Sequence, residues 1–153
     1  MKIMDFLNEN AVCANVKATT KDEVIEELLE LLLKAHVIKD KKKLIKILLD
    51  REALGSTGIG QGVAIPHGKS SSVKQLVAAF GISEKGVDFD SLDGEKVYIF
   101  FLLVAPEDSA GPHLKALARI SRLLKDRYFR DTLKLAKDEK TLLKILKEED
   151  SKK

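Results

Sequence analysis

The chain has 153 residues, of which 44% are hydrophobic and 33% are charged, a balance that favours one globular domain with its own core. Its one cysteine, Cys13, excludes an internal disulfide scaffold. The net charge of +3 excludes a strongly basic nucleic-acid binder, and the basic run Lys41-Lys42-Lys43 has no aromatic residues interleaved with it. The apolar runs are too short to cross a bilayer, and the N-terminus does not resemble a secretory signal, so we expect a cytoplasmic location.

The first half of the chain predicts two helices. Thr20-Lys21-Asp22-Glu23 fits a capping box, and the apolar residues that follow recur at helical spacing, which predicts a helix from about 21 to 35. A second helix is expected to start after Asp40 and run to about Ala53, with Gly55 as its C-terminal stop. Arg51 falls in its last turn, either as a phosphate clamp or in a surface ion pair.

A glycine-rich segment follows, Gly55-Ser56-Thr57-Gly58-Ile59-Gly60-Gln61-Gly62. Its composition predicts a loop and not a helix or the interior of a strand. It is not a Walker A motif, because Gln61-Gly62 replaces the required Lys-Ser/Thr, and it lacks the third glycine of the dinucleotide fingerprint. Two interpretations remain open: a tight connection, or an anion cradle in which Ser56, Thr57 and Gly58 contact phosphate oxygens.

His67 is the strongest candidate for a catalytic residue. The preceding segment, Val63 to Ile65, predicts a short strand, and Pro66 keeps Ile65 extended. His67 would then lie at the exit of a strand, where functional sites of α/β sheets gather, and Gly68 would keep its ring uncrowded. A structural role for a lone histidine remains the alternative.

The second half predicts strands at 75–82 and 97–104, with the second placed centrally because both its faces are apolar. A helix is expected to begin at Pro112, which puts His113 in its first turn, where the helix dipole disfavours an imidazolium and favours a nearby phosphate. Short helices are expected at 128–136 and 140–146. Together these elements predict an α/β domain over 1–148, with helices packed on a mixed sheet, and a frayed polar tail at 149–153.

A metal site is the competing chemistry. His67 and His113 could meet in space, but two histidines do not complete a zinc shell, and the sequence has no HExxH or CxxC motif. A metal-dependent hydrolase built on these two histidines therefore stays a minor alternative.

The stretch from Arg51 to Lys69, with Ile65-Pro66-His67-Gly68 near its end, resembles the signature of the enzyme IIA domains of the phosphoenolpyruvate-dependent sugar phosphotransferase system. The similar branch is the fructose–mannitol type, which includes the nitrogen-regulatory IIA proteins. Pro112-His113-Leu114-Lys115-Ala116-Leu117 continues the resemblance, which extends over nearly the whole chain. Gly111-Pro112 departs from the polar residues that family members often carry before this histidine, which could shift the helix start.

The resemblance implies a mixed sheet of about five strands with helices on both faces. It implies that His67 is phosphorylated, that His113 assists it and that Arg51 holds the phosphate, without a cofactor or metal. The implied donor is HPr or its nitrogen-branch counterpart, and the implied acceptor is a cysteine of enzyme IIB, so that the membrane is involved only through the sugar permease.

Two roles stay open for such a protein. One is transport of fructose or mannitol, and the other is regulation of partner proteins by the phosphorylation state of His67. Either role requires an apolar docking surface around His67, for which Ile59, Val63 and Ile65 are the candidates, although some of these must be core residues.

Overall fold

A mixed six-stranded sheet forms the middle layer of the protein. The computed structural model describes residues 1–152. The strands are β1 (Leu7–Cys13), β2 (Gly58–Gly60), β3 (Val63–Ala64), β4 (His67–Lys69), β5 (Val77–Val87) and β6 (Val97–Ala105). Their order is β1-β5-β6-β3-β2, with β4 also paired to β6, so the prediction that β6 lies centrally is confirmed.

The described residues also form a short 3₁₀ helix, Ile3–Asp5, and five α-helices: α1 (Lys21–Lys34), α2 (Lys41–Leu54), α3 (Ala110–Leu123), α4 (Arg127–Leu135) and α5 (Glu139–Lys152). Thr20 caps α1 by accepting a hydrogen bond from the Glu23 backbone N–H at 3.3 Å, and Asp40 caps α2 from Lys43 at 3.2 Å. The first two helices therefore begin where the sequence predicts. No helix within residues 1–152 is long and apolar enough to cross a membrane.

Two hydrophobic cores lie on opposite faces of the sheet. One packs α1 and α2 against residues such as Phe100 and Leu102, and the other packs α3, α4 and α5 against residues such as Phe101 and Leu103. Neighbouring residues of β6 thus enter different cores, which explains why that strand is apolar throughout. The expected mixed sheet with helices on both faces is confirmed.

The glycine segment is more regular than predicted. The expectation of a loop throughout 55–62 is wrong, because residues 58–60 form the edge strand β2, antiparallel to β3. Glycine is required there for close packing: a Cβ on Gly58 would lie 2.4 Å from the Ser91 Oγ. Because glycine has no side chain, the segment that carries Ser91 can pack against β2 while the β2 backbone still pairs with β3.

β3 and β4 form one strand that is interrupted at Ile65-Pro66. Both pair in parallel with β6, β3 at Ile99 and Phe100 and β4 from Leu103 onward. Proline has no N–H to donate to a neighbouring strand, so regular pairing stops there and resumes after it. The prediction that His67 follows the end of a strand is therefore wrong in detail, because His67 begins β4.

The third helix begins at Ala110, two residues earlier than the predicted start at Pro112. Proline is accepted at its third position because N–H groups in the first helical turn have no acceptor within the helix. His113 is consequently the fourth helical residue, and its backbone N–H donates to the Ser109 carbonyl at 3.0 Å.

The predicted polar tail is wrong for residues 149–152, which extend α5, while Lys153 lies outside the described residues. The cause is Asp150, which is 3% exposed and accepts from Arg119 Nη2 at 2.8 Å. Its carboxylate also accepts from the backbone N–H groups of Ile3 and Met4 at 2.9 and 3.1 Å. These hydrogen bonds join the end of α5 to α3 and to the N-terminal residues.

Replacing Asp150 with alanine should destabilise the fold by about 3–5 kcal/mol, because it leaves the buried charge of Arg119 without the carboxylate that neutralises it. Urea unfolding measures the loss. The control is Asp50→Ala, which removes an exposed ion pair with Lys46 and should cost no more than about 1 kcal/mol. Equal losses in the two variants would show that the Asp150 contacts do not stabilise the fold.

Candidate functional site

A cleft of about 680 Å³ brings together His67, His113 and Arg51, three residues that lie far apart in the sequence. His67 comes from β4, Arg51 from the last turn of α2 and His113 from the first turns of α3. The cleft is lined further by Ile47, Asp50, Leu54, Gly68, Lys69, Ala110, Leu114 and Leu117.

His67 is held by a hydrogen bond to its own strand. Its Nδ1 lies 2.7 Å from the Ile65 carbonyl oxygen, which can only accept, so Nδ1 carries the proton of the neutral ring. The lone pair of the neutral ring is then on Nε2. The break at Ile65-Pro66 makes this possible because it turns the Ile65 carbonyl toward the ring of a residue two positions later.

Gly68 has a different role from the one predicted. A Cβ at this position would lie 2.9 Å from Ile47 Cγ2 and 3.2 Å from Leu48 Cδ2. Glycine is therefore needed for α2 to pack closely on β4. That packing brings Arg51, on α2, to the same cleft as His67.

The second histidine packs against the first. The rings of His67 and His113 lie 5.5 Å apart, centroid to centroid, at an interplanar angle of 73°. His113 is only 5% exposed, and its Nε2 has no hydrogen-bond partner within residues 1–152. A buried nitrogen without a partner is costly, and a ligand oxygen in the cleft would supply one.

Both histidines favour the neutral form. Burial lowers the pKa of His67, and the Arg51 charge lowers it further, against the opposing effects of the Ile65 hydrogen bond and Glu52. Burial, together with His67 and Lys69, lowers the pKa of His113 to about 4. At neutral pH the cleft therefore offers an uncharged imidazole as a nucleophile.

Arg51 is anchored at the mouth of the cleft. Its Nη1 donates to the Gly55 carbonyl at 2.8 Å, so the start of the glycine segment fixes one end of the guanidinium. A guanidinium has five N–H donors in a planar fork, and those not used by Gly55 can bind an anion. Within residues 1–152, Arg51 forms no ion pair with Asp50 or Glu52, the partners expected under the alternative interpretation.

The residues predicted to form an anion cradle are occupied elsewhere. The Ser56 hydroxyl donates to the Phe89 carbonyl at 2.5 Å and accepts from the Gly58 N–H at 3.0 Å. The Thr57 hydroxyl and backbone N–H both donate to the Glu52 carboxylate. None of Ser56, Thr57 and Gly58 lines the cleft, so direct phosphate contact by these residues stays a prediction.

None of the three candidate docking residues lines the cleft of His67, and two of them are core residues, as was expected of some. Val63 and Ile65 are 1% and 3% exposed and belong to the core, while Ile59 is exposed but lines a different cleft, beside Leu92. The cleft of His67 is instead bordered by Leu54 and Leu114, which are 86% and 67% exposed. Sequence periodicity misses them because they lie at helix ends, where the apolar pattern does not distinguish core from rim.

Titration of the two histidines should show this environment directly. In NMR spectra, His113 should stay neutral down to about pH 4, and His67 should titrate below its ordinary value. Both should approach about 6.5 in urea-denatured protein. At a pH between the folded-state and unfolded-state pKa of each histidine, the unfolded chain binds more protons than the folded chain. The free energy of unfolding should therefore fall as the pH drops through that range. Ordinary pKa values in the folded protein would contradict the burial of the pair.

The donor set does not resemble a metal site. No group of three or more histidine, cysteine or acidic residues comes together in the part of the chain that the structure describes. Two histidines, one of them bonded through Nδ1 to a carbonyl, do not supply the three or four ligands that zinc sites use.

The α/β/α fold thus brings two edge-to-face histidines and an arginine to one cleft, an arrangement suited to an anionic ligand. The chain belongs to the EIIA 2 family of the phosphoenolpyruvate-dependent sugar phosphotransferase system, whose family model matches residues 5–149. The family resemblance predicted from Arg51–Lys69 is thereby confirmed.

Similar proteins come from both branches of this family. The chain is 38% identical over 150 residues to the fructose-specific EIIABC component of Bacillus subtilis (strain 168), a match that covers 98% of this chain but 24% of that protein. It is 36% identical over 148 residues to the nitrogen regulatory protein of Bradyrhizobium diazoefficiens (strain JCM 10833 / BCRC 13528 / IAM 13628 / NBRC 14792 / USDA 110), covering 95% of each.

The fold agrees with a solved structure of the nitrogen-regulatory branch. The nitrogen regulatory protein IIA-Ntr from Neisseria meningitidis superimposes with a TM-score of 0.86 at 33% identity, over 94% of this chain and 98% of that one. The family and the fold are therefore established together, while the particular role within the family is not.

Proposed function

We propose that this protein is a cytoplasmic phosphoryl carrier that holds a phosphoryl group on His67 Nε2. The observation that carries the proposal is the 2.7 Å contact between His67 Nδ1 and the Ile65 carbonyl, which leaves Nε2 as the basic nitrogen of the neutral ring. Family membership supplies the chemistry, since the system transfers phosphoryl groups.

The transfer requires no cofactor. The Nε2 lone pair of His67 attacks the phosphorus of a phosphohistidine on the donor protein, and the donor's P–N bond breaks as the new one forms. Charge on the transferring group is spread over its three outer oxygens, so the protein must mainly align and stabilise it. The N–H donors of Arg51 face this group from the mouth of the cleft.

His113 stabilises the same group from the other side. In the tautomer that carries its proton on Nε2, His113 donates to a phosphoryl oxygen and so satisfies its unpartnered buried nitrogen. The low pKa of His113 keeps its ring neutral, so His67 has no positively charged ring beside it. The N-terminal end of α3 adds the favourable end of the helix dipole.

We propose HPr or its nitrogen-branch counterpart as the donor and a cysteine of enzyme IIB as the acceptor in fructose- or mannitol-type uptake. Leu54 and Leu114 flank the cleft and provide apolar area from which a docked partner would exclude water. Transfer of the phosphoryl group to enzyme IIB then requires a cysteine thiolate in line with the His67–phosphorus bond.

A regulatory role is the second candidate, in which partner proteins read the phosphorylation state of His67. It is supported by the 36% identity to the nitrogen regulatory protein of Bradyrhizobium diazoefficiens and by the TM-score of 0.86 to IIA-Ntr from Neisseria meningitidis. Both roles use the same chemistry at His67.

The test is intact-mass measurement after incubation with phosphoenolpyruvate and either enzyme I plus HPr or the two nitrogen-branch carriers. Gain of one acid-labile phosphoryl group supports the carrier function, and the faster donor identifies the branch. Subsequent addition of a fructose-type IIB domain should discharge the protein if the role is transport. No gain with either donor pair, each shown active on a known IIA protein, would refute the proposal.

A further inference from the structure

Glu52 is a buried carboxylate that lies directly behind the proposed site. It follows Arg51 in the last turn of α2 and is 7% exposed. Its Oε1 accepts the Thr57 backbone N–H at 3.1 Å and lies 3.4 Å from Lys21 Nζ, and its Oε2 accepts the Thr57 hydroxyl. Carboxylates are rarely buried at this cost unless their contacts matter.

The contacts of Thr57 continue toward His67. The Thr57 carbonyl accepts the Ile65 N–H at 3.0 Å, and the Ile65 carbonyl in turn lies 2.7 Å from His67 Nδ1. Four residues are thus joined in series, Glu52 to Thr57, Thr57 to Ile65, and Ile65 to His67. Each hydrogen bond joins a different part of the chain: the end of α2, the glycine segment and the break between β3 and β4.

The break in the strand makes this series necessary. Pro66 offers no N–H to the sheet, and its own carbonyl accepts from Leu103 at 2.9 Å. The orientation of the preceding peptide unit therefore depends on what holds Ile65, which is Thr57. The position of Thr57 in turn depends on the Glu52 carboxylate, which binds it at two points.

We propose that Glu52 is a positioning residue for His67, which acts through Thr57 and Ile65 to hold the carbonyl that fixes the His67 ring and its tautomer. This inference rests on the proposed carrier function of His67. Lys21 completes the arrangement, since it pairs with both Glu52 and Asp90 and gives the buried carboxylate a cationic partner.

This series of contacts links the Glu52 carboxylate to the direction of the Ile65 carbonyl, and so to the orientation of the His67 ring. The negative charge also acts through space in favour of positive charge on His67. The series holds Nε2 in the direction of attack, and the charge makes Nε2 more basic. A merely structural carboxylate would change stability without changing either property of the ring.

The experiment compares Glu52→Ala with Glu27→Ala. Glu27 is a matched control because its carboxylate also accepts backbone N–H groups, from Lys17 at 3.2 Å and Ala18 at 2.9 Å, and it does not line the cleft. In unphosphorylated Glu52→Ala, nitrogen NMR should show a lower Nδ1–H tautomer fraction and a lower His67 pKa. The kcat of phosphoryl acceptance should fall about ten-fold or more, with the donor KM unchanged, because small displacements of a reacting group are costly. Glu27→Ala should retain the wild-type ring signals.

A second pair of variants covers the case in which Glu52→Ala does not fold. Thr57→Val removes the hydroxyl contact with Glu52, and Thr57→Ser retains it. Thr57→Val should show the altered tautomer of His67 and slower phosphoryl acceptance. Thr57→Ser should keep the wild-type tautomer and rate.

Identical His67 signals and kcat in Glu52→Ala and Glu27→Ala, or in the two Thr57 variants, would overturn the proposal. The ring measurement uses unphosphorylated protein, so it is independent of whether any carrier phosphorylates the chain. Failure of the carrier function is recognised separately, as a wild-type protein that gains no phosphoryl group.

Discussion

Replacing His67 with glutamine will abolish phosphoryl acceptance. Glutamine retains polar atoms of similar reach but has no basic nitrogen that can form a P–N bond. We expect no acid-labile phosphoryl group on His67→Gln by intact mass, at any donor concentration that saturates the wild type. His67 is only half-buried, so the variant should keep its fold.

The matched control is His36→Gln. His36 lies beyond the end of α1, is exposed and does not line the cleft of His67. This variant should accept the phosphoryl group at the wild-type rate. Phosphorylation that persists in His67→Gln would place the acceptor on another residue and overturn the assignment of the site.

Replacing Arg51 has the second largest expected effect. Arg51→Ala removes the fork of donors from the mouth of the cleft, and loss of one such donor to a developing anion typically costs about 100-fold to 1,000-fold in rate. Arg51→Lys keeps the charge but not the planar fork anchored at Gly55, so it should recover only part of that loss. Quenched-flow measurement of kcat with saturating donor tests both variants.

Lys46→Ala serves as the control, because Lys46 carries the same charge on the same helix but is exposed and pairs with Asp50. Its kcat should equal that of the wild type. An Arg51→Ala variant with kcat within about three-fold of Lys46→Ala would show that the guanidinium does not stabilise the transferring group.

The elements that the sequence predicts well are those that local chemistry specifies. The caps at Thr20 and Asp40 fix the starts of α1 and α2, and the doubly apolar run of β6 fixes the centre of the sheet. Each of these signals lies within a few neighbouring residues.

The elements that the sequence misses depend on distant partners. The short strands β2 and β4 exist because β3 and β6 supply pairing, not because of their own propensity. The end of α5 is helical because Asp150 meets Arg119, a residue more than a full helix away. Such tertiary contacts produce no hydrophobic periodicity in a polar segment, so the sequence alone does not indicate them.

The candidate site divides in the same way. His67, His113 and Arg51 are recognisable from motifs, and the fold brings them to one cleft. Glu52 is not recognisable, because a glutamate at a helix end is ordinarily a solvated residue, and only its burial against Thr57 and Lys21 distinguishes it. Leu54 and Leu114 become identifiable as rim residues only when their exposure is known.

The measurement that tests the central claim most directly is nitrogen and phosphorus NMR of the phosphorylated protein labelled with ¹⁵N-histidine. The geometry of His67 predicts a phosphoryl group on Nε2 and a proton retained on Nδ1, bonded to the Ile65 carbonyl. A single phosphohistidine with phosphorus coupled to Nε2 of His67 is therefore the expected result. Phosphorus coupled to Nδ1, or to another histidine, would contradict the account.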